Sequence, residues 1–202
     1  MSVTKAKHIR YEGITLGTPK CIVGRNFVLT AHYRRSYRGE PETLIVQLPR
    51  CQLFTGVYES EGKFYCEILV PTDGIAHDLY FNIASRIEQQ VKLSRQFQEV
   101  TFLGHLRKAD MSQSIIRLKL PQNKSQITTT VYSAAGDITS LKDFVTGNCF
   151  VPIVALEYAY VLNNVVGFNL LLKEASVVAQ TKEQTSDHSD HSFKEEPHST
   201  KS

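Results

Sequence analysis

Alternation of apolar and polar residues dominates this chain and predicts β-strands along most of its length. In residues 116–120 the sequence Ile-Arg-Leu-Lys-Leu sends every second side chain to the same side. Such a strand buries its apolar side chains and presents Arg117 and Lys119 to solvent. Residues 44–70 have the composition of a pair of β-hairpins, interrupted at Pro49 and at a turn over residues 59–62. Similar signals from residue 21 to residue 178 predict eight to ten strands.

A glycine inside one of these strands carries a second local prediction. Gly56 lies within the apolar and aromatic pattern that follows Pro49. A glycine inside a strand usually marks a bulge or the close approach of another backbone. We expect one of these at Gly56.

One segment has helical periodicity instead. Leu79, Ile83, Ile87 and Val91 recur every four residues after Asp78, which has the chemistry of an N-cap. The pattern predicts a surface helix with one buried face. With the strands around it, it predicts a mainly β fold: an OB-fold-like antiparallel Greek-key barrel with extra hairpins and one surface helix.

The chain divides into one domain and a tail. Residues 1–180 hold nearly all of the apolar pattern, whereas residues 181–202 are polar and carry one aromatic residue, Phe193. Such a segment buries too little apolar surface to offset the entropy of ordering, so we expect a disordered, weakly acidic tail. Its histidines (His188, His191 and His198) leave weak metal binding open, but a solvated tail is favoured.

Composition points to a soluble intracellular protein whose first 50 residues are basic. The chain has 202 residues, 42% hydrophobic and 21% charged, with no run of 18 apolar residues and no secretory signal. Residues 1–50 carry nine Lys and Arg against three Asp and Glu, and residues 181–202 carry three against five. A basic surface attracts polyanions, and an acidic tail competes with them.

The sequence offers little for catalysis. The four cysteines (Cys21, Cys51, Cys66 and Cys149) form no CxxC pair, so buried thiols are favoured over a zinc site. No nucleophile elbow, phosphate-binding loop or zinc-protease pattern occurs, and the acidic residues of the domain are scattered. We predict no enzyme activity, no metal and no cofactor.

Cationic and aromatic residues cluster instead, as single-stranded nucleic acids require. Cations track phosphates and flat rings stack on bases. The candidate residues are Tyr33, Arg34, Arg35, Tyr37 and Arg38 in a loop; Arg50, Phe54 and Tyr58 on adjoining strands; and Arg107, Lys108, Arg117 and Lys119, which would extend the basic track. The alternative is that Phe54, Phe64 and Phe168 are core and the arginines are a solvated face. Core is favoured for Phe64, Phe81 and Phe168, and both roles stay open for Tyr58 and Tyr65. For Tyr33 and Tyr37 ligand contact is favoured, because a loop has no core to bury them.

The order of these motifs resembles a known family. Leu-Ile-Val-Gln-Leu-Pro at residues 44–49, Phe-Thr-Gly-Val at residues 54–57 and Lys-Phe-Tyr at residues 63–65 are similar to the single-stranded DNA-binding proteins of nucleocytoplasmic large DNA viruses. These proteins are in turn similar to the replication single-strand binder of the T-odd coliphages. The likeness covers about residues 14–179. The family often carries a Trp in its closing segment, where this chain has Tyr158, Tyr160 or Phe168 as substitutes.

The resemblance implies an OB-fold that coats single-stranded DNA during viral replication, recombination and repair, without catalysis. It implies a host-cell replication site, in the cytoplasm or nucleus. Partners would include the viral DNA polymerase or other replication proteins, and a homo-oligomer is left open. Two rivals remain. One is a structural or host-interaction viral β-domain that binds no nucleic acid. The other is an OB-fold transcription or RNA-processing factor, which would prefer RNA because only RNA offers the 2′-hydroxyl.

Overall fold

The computed structural model describes residues 3–24, 26–97, 99–102, 106–124, 126–141 and 144–178. The predicted tail, residues 181–202, lies outside the described residues, as does the end of the predicted domain at residues 179–180.

Sixteen strands and one α-helix are found in these ranges. The strands are β1 Thr4–Lys5, β2 Ile14–Leu16, β3 Lys20–Val23, β4 Asn26–Tyr33, β5 Leu44–Gln47, β6 Cys51–Ser60, β7 Lys63–Pro71, β8 Thr101–Phe102, β9 Arg107–Lys108, β10 Gln113–Leu120, β11 Gln122–Asn123, β12 Gln126–Ile127, β13 Thr130–Tyr132, β14 Ile138–Thr139, β15 Cys149–Leu162 and β16 Val165–Val177. The helix is α1, Ile75–Lys92, and short 3₁₀ turns occur at Ala6–His8, Tyr11–Gly13 and Arg95–Phe97. The number exceeds the eight to ten expected, because six of the strands have only two residues.

Five of the strands close into a barrel. The neighbours run β6, β7, β10, β16, β15 and back to β6, with β10 and β16 parallel and the other pairs antiparallel. In chain order this is first, second, third, fifth, fourth and again first, a Greek-key closure of the OB type. The predicted mainly β fold is confirmed, with α1 inserted between the second and third barrel strands.

Strand alternation builds the barrel interior. Ile116, Leu118 and Leu120 of β10 have no exposed surface, while Arg117 between them is exposed. Lys119, the other polar position, is half-buried. The inward set therefore follows the sequence pattern, and the outward set forms one face of the barrel.

The prediction for residues 44–70 is half right. Strands β6 and β7 form the second hairpin, but β5 pairs with β15 and β1 and not with β6. The register of β6 against β7 slips on both sides of Thr55, which is a bulge. A Cβ on Gly56 would lie 3.2 Å from the carbonyl oxygen of Phe144. Both features expected at Gly56 are therefore present.

Helix α1 lies on the barrel with one apolar face, as predicted. Its buried side chains are Ala76, Leu79, Tyr80, Ile83, Ala84, Ile87 and Val91. The predicted start at Asp78 is wrong, because the helix begins at Ile75 after Gly74 and no side chain caps it. Asp78 lies in the first turn instead, where a carboxylate still favours the positive end of the helix dipole.

A sheet extends beyond the barrel on the far part of β15 and β16. These two long strands are joined by a tight turn at Asn163 and Asn164, whose φ angles of 50° and 64° suit asparagine. Strand β4 pairs with β15 on one side, and β3 forms a hairpin with β4. The β3–β4 hairpin thus stands beside the barrel face that carries Lys119.

The cysteines fit the expected thiols only in part. Cys51 and Cys66 are buried and Cys149 is half-buried, but Cys21 is exposed. All four are free. In the described ranges no group of three or more His, Cys, Asp or Glu residues is placed to hold a metal ion. No helix of these ranges has the length and apolar character needed to cross a membrane.

Candidate nucleic-acid interface

A groove of about 520 Å³ lies on the outer face of the barrel, and we call it the central groove. It is lined by Ile22, Val28, Glu61, Lys63, Tyr65, Arg117, Lys119, Tyr158, Tyr160, Leu162, Phe168 and Asn169. These residues come from β3, β4, β7, β10, β15, β16 and the turn between β6 and β7. In OB-folds, the face of the second and third strands and the adjoining loops bind oligonucleotides and oligosaccharides. The central groove occupies that face.

The floor of the central groove pairs rings with cations. The guanidinium carbon of Arg117 lies 5.3 Å from the centre of the Tyr65 ring, and Nζ of Lys119 lies 5.6 Å from that of Tyr158. Lys119 also donates a hydrogen bond to the Tyr158 hydroxyl at 2.9 Å. The hydrogen bond and the centroid distance together place Lys119 at the hydroxyl edge of the Tyr158 ring, while Arg117 lies by the Tyr65 ring. Both cations therefore have a fixed position before any ligand arrives.

A buried carboxylate, that of Glu67, binds cationic and aromatic side chains beside the central groove. Glu67 is 4% exposed, and its carboxylate lies 2.6 Å from Arg107 and 3.7 Å from Arg117. It also accepts a hydrogen bond of 3.1 Å from the Tyr58 hydroxyl. The Tyr58 and Tyr65 rings are 5.9 Å apart on adjacent strands. Burial raises the pKa of Tyr58, and the nearby Glu67 carboxylate raises it further.

The Tyr160 ring depends on a glycine opposite. Tyr160 and Gly167 are paired across β15 and β16, and a Cβ on Gly167 would lie 2.5 Å from Cζ and Oη of Tyr160. The ring therefore rests directly on the glycine backbone. Burial raises the pKa of Tyr160 to about 12, with Tyr65 and Tyr158 adding to the shift. Its hydroxyl stays protonated at neutral pH.

The central groove continues into a second concavity of about 420 Å³. The two share Lys63, Lys119 and Tyr158. The second concavity is also lined by Gln122, Glu157 and Leu171. The surface is therefore an extended channel, a shape that suits a chain-like ligand.

The structure brings some of the sequence-predicted residues to this surface. Arg117 and Lys119 line the central groove, while Tyr58 and Arg107 adjoin it through Glu67. Lys108 follows Arg107 on β9 and is exposed. Two predicted residues, Arg50 and Phe54, belong to the β6 region and are exposed without lining the groove, Phe54 being 39% exposed.

The predicted loop forms a separate site. Arg34, Tyr37 and Arg10 line another concavity of about 520 Å³, which shares no residue with the central groove. Arg35 pairs with Glu42, with Nε and Oε1 2.5 Å apart, and Arg38 is exposed.

Along β4 the loop lies about 16 Å from the groove, counting from Val28 to Tyr33. Because the loop and the following strands are close in sequence, the sequence predicts one continuous basic surface. The fold makes two surfaces.

The expectation for Tyr33 is wrong. It is the last residue of β4 rather than a loop residue, and its side chain is 2% exposed. The backbone N–H of Arg10 donates to its hydroxyl at 3.3 Å. Its ring belongs to the core and cannot stack on a base. Tyr37, by contrast, is 91% exposed.

Sequence reasoning missed the central groove's own aromatic residues. The sequence leaves Tyr65 undecided between core and ligand contact, and it assigns no nucleic-acid contact to Tyr158, Tyr160 or Lys63. One signal was present: Tyr65 lies two residues from Lys63 in an alternating strand, so both face the same side. The pairing of this strand with β10 is not encoded locally.

Comparisons with known proteins give a distant likeness. No family model and no curated protein matches the sequence. Among solved structures, the chain is similar to the crystal structure of gp2.5, a single-stranded DNA binding protein encoded by bacteriophage T7. The TM-score is 0.46 at 11% sequence identity, and the match covers 79% of this chain and 100% of that one.

Proposed function

We propose that the protein binds single-stranded DNA along the central groove, with little sequence preference and without catalysis. The observation that carries the proposal is the joint placement of Arg117 and Lys119 against Tyr65 and Tyr158 on the ligand-binding face of an OB-type barrel. Cations neutralise phosphates, and rings give bases a surface to stack on.

The chemistry of the groove favours a strand over a compact ligand. Lys63, Arg117 and Lys119 place three cationic side chains along it, with Glu61 as an opposing charge. The groove runs into a second concavity, so successive nucleotides have a path. Stacking and phosphate contacts do not distinguish bases, because every base has a π-face and every nucleotide a phosphate.

The wider role follows the family resemblance. We propose that the protein coats exposed strands during viral DNA replication, recombination and repair, at the replication site inside a host cell. The viral DNA polymerase or other replication proteins would be its partners there. The rival role is a structural or host-interaction domain, for which the separate 34–38 loop would be the contact surface.

Fluorescence titration with oligo-dT at several salt concentrations tests the binding. We expect a dissociation constant on the order of 10⁻⁶ M or below at low salt. If Lys63, Arg117 and Lys119 each meet a phosphate, the logarithm of the binding constant should fall with that of salt at a slope of about −2. Millimolar affinity at low salt, or no slope, would contradict DNA binding. RNA of the same sequence binding more tightly would favour the RNA-processing alternative.

Two tyrosine substitutions locate the site. Tyr65→Ala removes the ring by which Arg117 lies, and we expect it to weaken binding by about 1 kcal/mol, because the guanidinium loses its fixed position in the central groove. The matched control is Tyr37→Ala in the 34–38 loop, which we expect to leave affinity unchanged. Weakening by Tyr37→Ala alone would move the site to the loop that the sequence suggested.

A further inference from the structure

The central groove has two chemically different sides. Across the sheet the strands follow the order β7, β10, β16, β15, β4 and β3. Lys63 on β7 and the two cations of β10 lie at one side, together with Glu61 of the preceding turn and the Tyr65 ring by which Arg117 lies. Asn169 of β16 lies between the sides.

The other side is apolar and aromatic. Ile22 of β3, Val28 of β4, and Tyr160 and Leu162 of β15 form it, and none of them carries a charge. Ile22 is 58% exposed and Leu162 is 41% exposed, so apolar surface faces the groove without a covering group in the described ranges. We call these residues the apolar wall.

The separation of the two sides suits one nucleotide laid across the groove. Strands β10 and β15 are two strand spacings apart, about 10 Å. A phosphate requires cations and water, whereas the face of a base gains by leaving water for apolar or aromatic surface. The opposite placement would leave phosphates against Ile22 and Leu162 without a counter-charge.

We propose that a bound strand lies with its phosphates along β7 and β10 and its bases against the apolar wall, so that the β3–β4 hairpin serves as a base-contacting flap. This inference rests on the proposed function and adds the orientation of the strand across the groove. It also assigns a role to Ile22 and Leu162, whose exposure the fold itself does not require.

Neighbouring residues on β3 provide a matched pair for the test. Ile22 lines the central groove, whereas Val23 next to it does not and is 71% exposed. The register of β3 against β4 shifts between Cys21 and Val23, so the groove lining rather than strand alternation separates the two positions. Ile22→Ser and Val23→Ser therefore remove apolar surface at adjacent exposed positions, one inside the central groove and one outside it. Both positions are exposed, and thermal melting checks that both variants are folded.

The probes are oligo-dT of about 16 nucleotides, the upper end of site sizes for one OB-fold, and an abasic oligomer of equal length. We expect Ile22→Ser to weaken oligo-dT binding by roughly fivefold, as loss of apolar contact area would. The abasic oligomer should bind the variant and the unaltered protein equally, and the salt slope should not change. Val23→Ser should match the unaltered protein with both probes.

A variant that removes a cation should show the opposite pattern of effects on the two oligomers and on the salt slope. Lys119→Gln should weaken binding of both probes and flatten the salt slope by about 0.7, the value for one lost phosphate contact on a single strand. If Ile22→Ser weakens the binding of both oligomers equally, or of neither, the proposed orientation is wrong, although DNA binding itself stands. An unaltered protein that binds no oligo-dT at low salt overturns the proposed function and the orientation together.

Discussion

The carboxylate of Glu67 lies 2.6 Å from the guanidinium of Arg107 and also reaches Arg117, which lines the central groove. The acid is buried, and more than half of the arginine side chain is exposed. Arg117 and the Tyr58 hydroxyl reach the same carboxylate. One buried negative charge therefore positions two cations, and it also offsets part of their charge toward a polyanion.

Glu67→Gln should separate these two effects. We expect a loss of about 1–2 kcal/mol in the free energy of unfolding, because the isosteric amide keeps a hydrogen-bond acceptor for Tyr58 but loses the ion pairs. Affinity for oligo-dT at low salt should rise and its salt slope should steepen, since Arg107 and Arg117 become free to meet phosphates. Urea denaturation and the salt titration measure the two quantities.

Glu88→Gln is the control for this substitution. Glu88 pairs with Lys92 at 2.6 Å on the surface of α1, four residues apart, and neither residue lines the central groove. Such a pair contributes about 0.3–0.5 kcal/mol. Weaker DNA binding by Glu67→Gln would show that holding the arginines in place matters more than the charge that Glu67 cancels.

Gly167→Ala should act on binding through the Tyr160 ring. The added methyl group would overlap Cζ and Oη of Tyr160, so the ring must swing away from its place in the apolar wall. We expect weaker binding of oligo-dT, by about 1 kcal/mol, as for loss of one stacking ring. If the effect passes through the ring, adding Gly167→Ala to Tyr160→Ala should weaken oligo-dT binding little further. A double-mutant cycle on the binding free energies measures this. Additive losses would place the effect elsewhere in β16.

Alkaline pH should weaken the fold through a buried thiol. Burial raises the pKa of Cys51 from 9.0 to about 12, with Cys149 adding to the shift. Above pH 9 the unfolded chain releases this proton while the folded protein keeps it, so stability falls as pH rises from 9 toward 12. The free energy of unfolding of the unaltered protein should therefore fall between pH 8 and pH 10. In Cys51→Ala, which lacks this thiol, the fall should be smaller by about 1.4 kcal/mol.

Urea denaturation at the two pH values measures this difference. The matched control is Cys21→Ala, because the Cys21 side chain is exposed in the folded protein. It should follow the unaltered protein at both pH values. An equal fall for Cys51→Ala and the unaltered protein would mean that the Cys51 thiol does not keep its proton in the folded state.

Alternation within single strands was enough to predict the barrel's inward residues. Ile116, Leu118 and Leu120 are buried where the pattern put them, because the side of a strand on which a residue lies depends only on its position along that strand. The helix and the β6–β7 hairpin were predictable for the same reason, as both depend on local periodicity and on nearby turns. The start of α1 was not, since Gly74 gives no capping signal.

Pairing between distant strands was decided only by the tertiary structure. Lys119 meets Tyr158 across 39 positions of sequence because β10 pairs with β16 and β16 pairs with β15, which carries Tyr158. Nothing near either residue specifies that neighbour. The pairing of β4 with β15 and with β2 placed the 34–38 loop on another surface and put Tyr33 in the core.

The sequence by itself therefore determined that this is a mainly β protein with basic and aromatic residues at outward-facing strand positions. Local periodicity sets which side chains point outward. The closing of the barrel decided which of them share a groove, because only the packed fold brings outward faces of separate strands together.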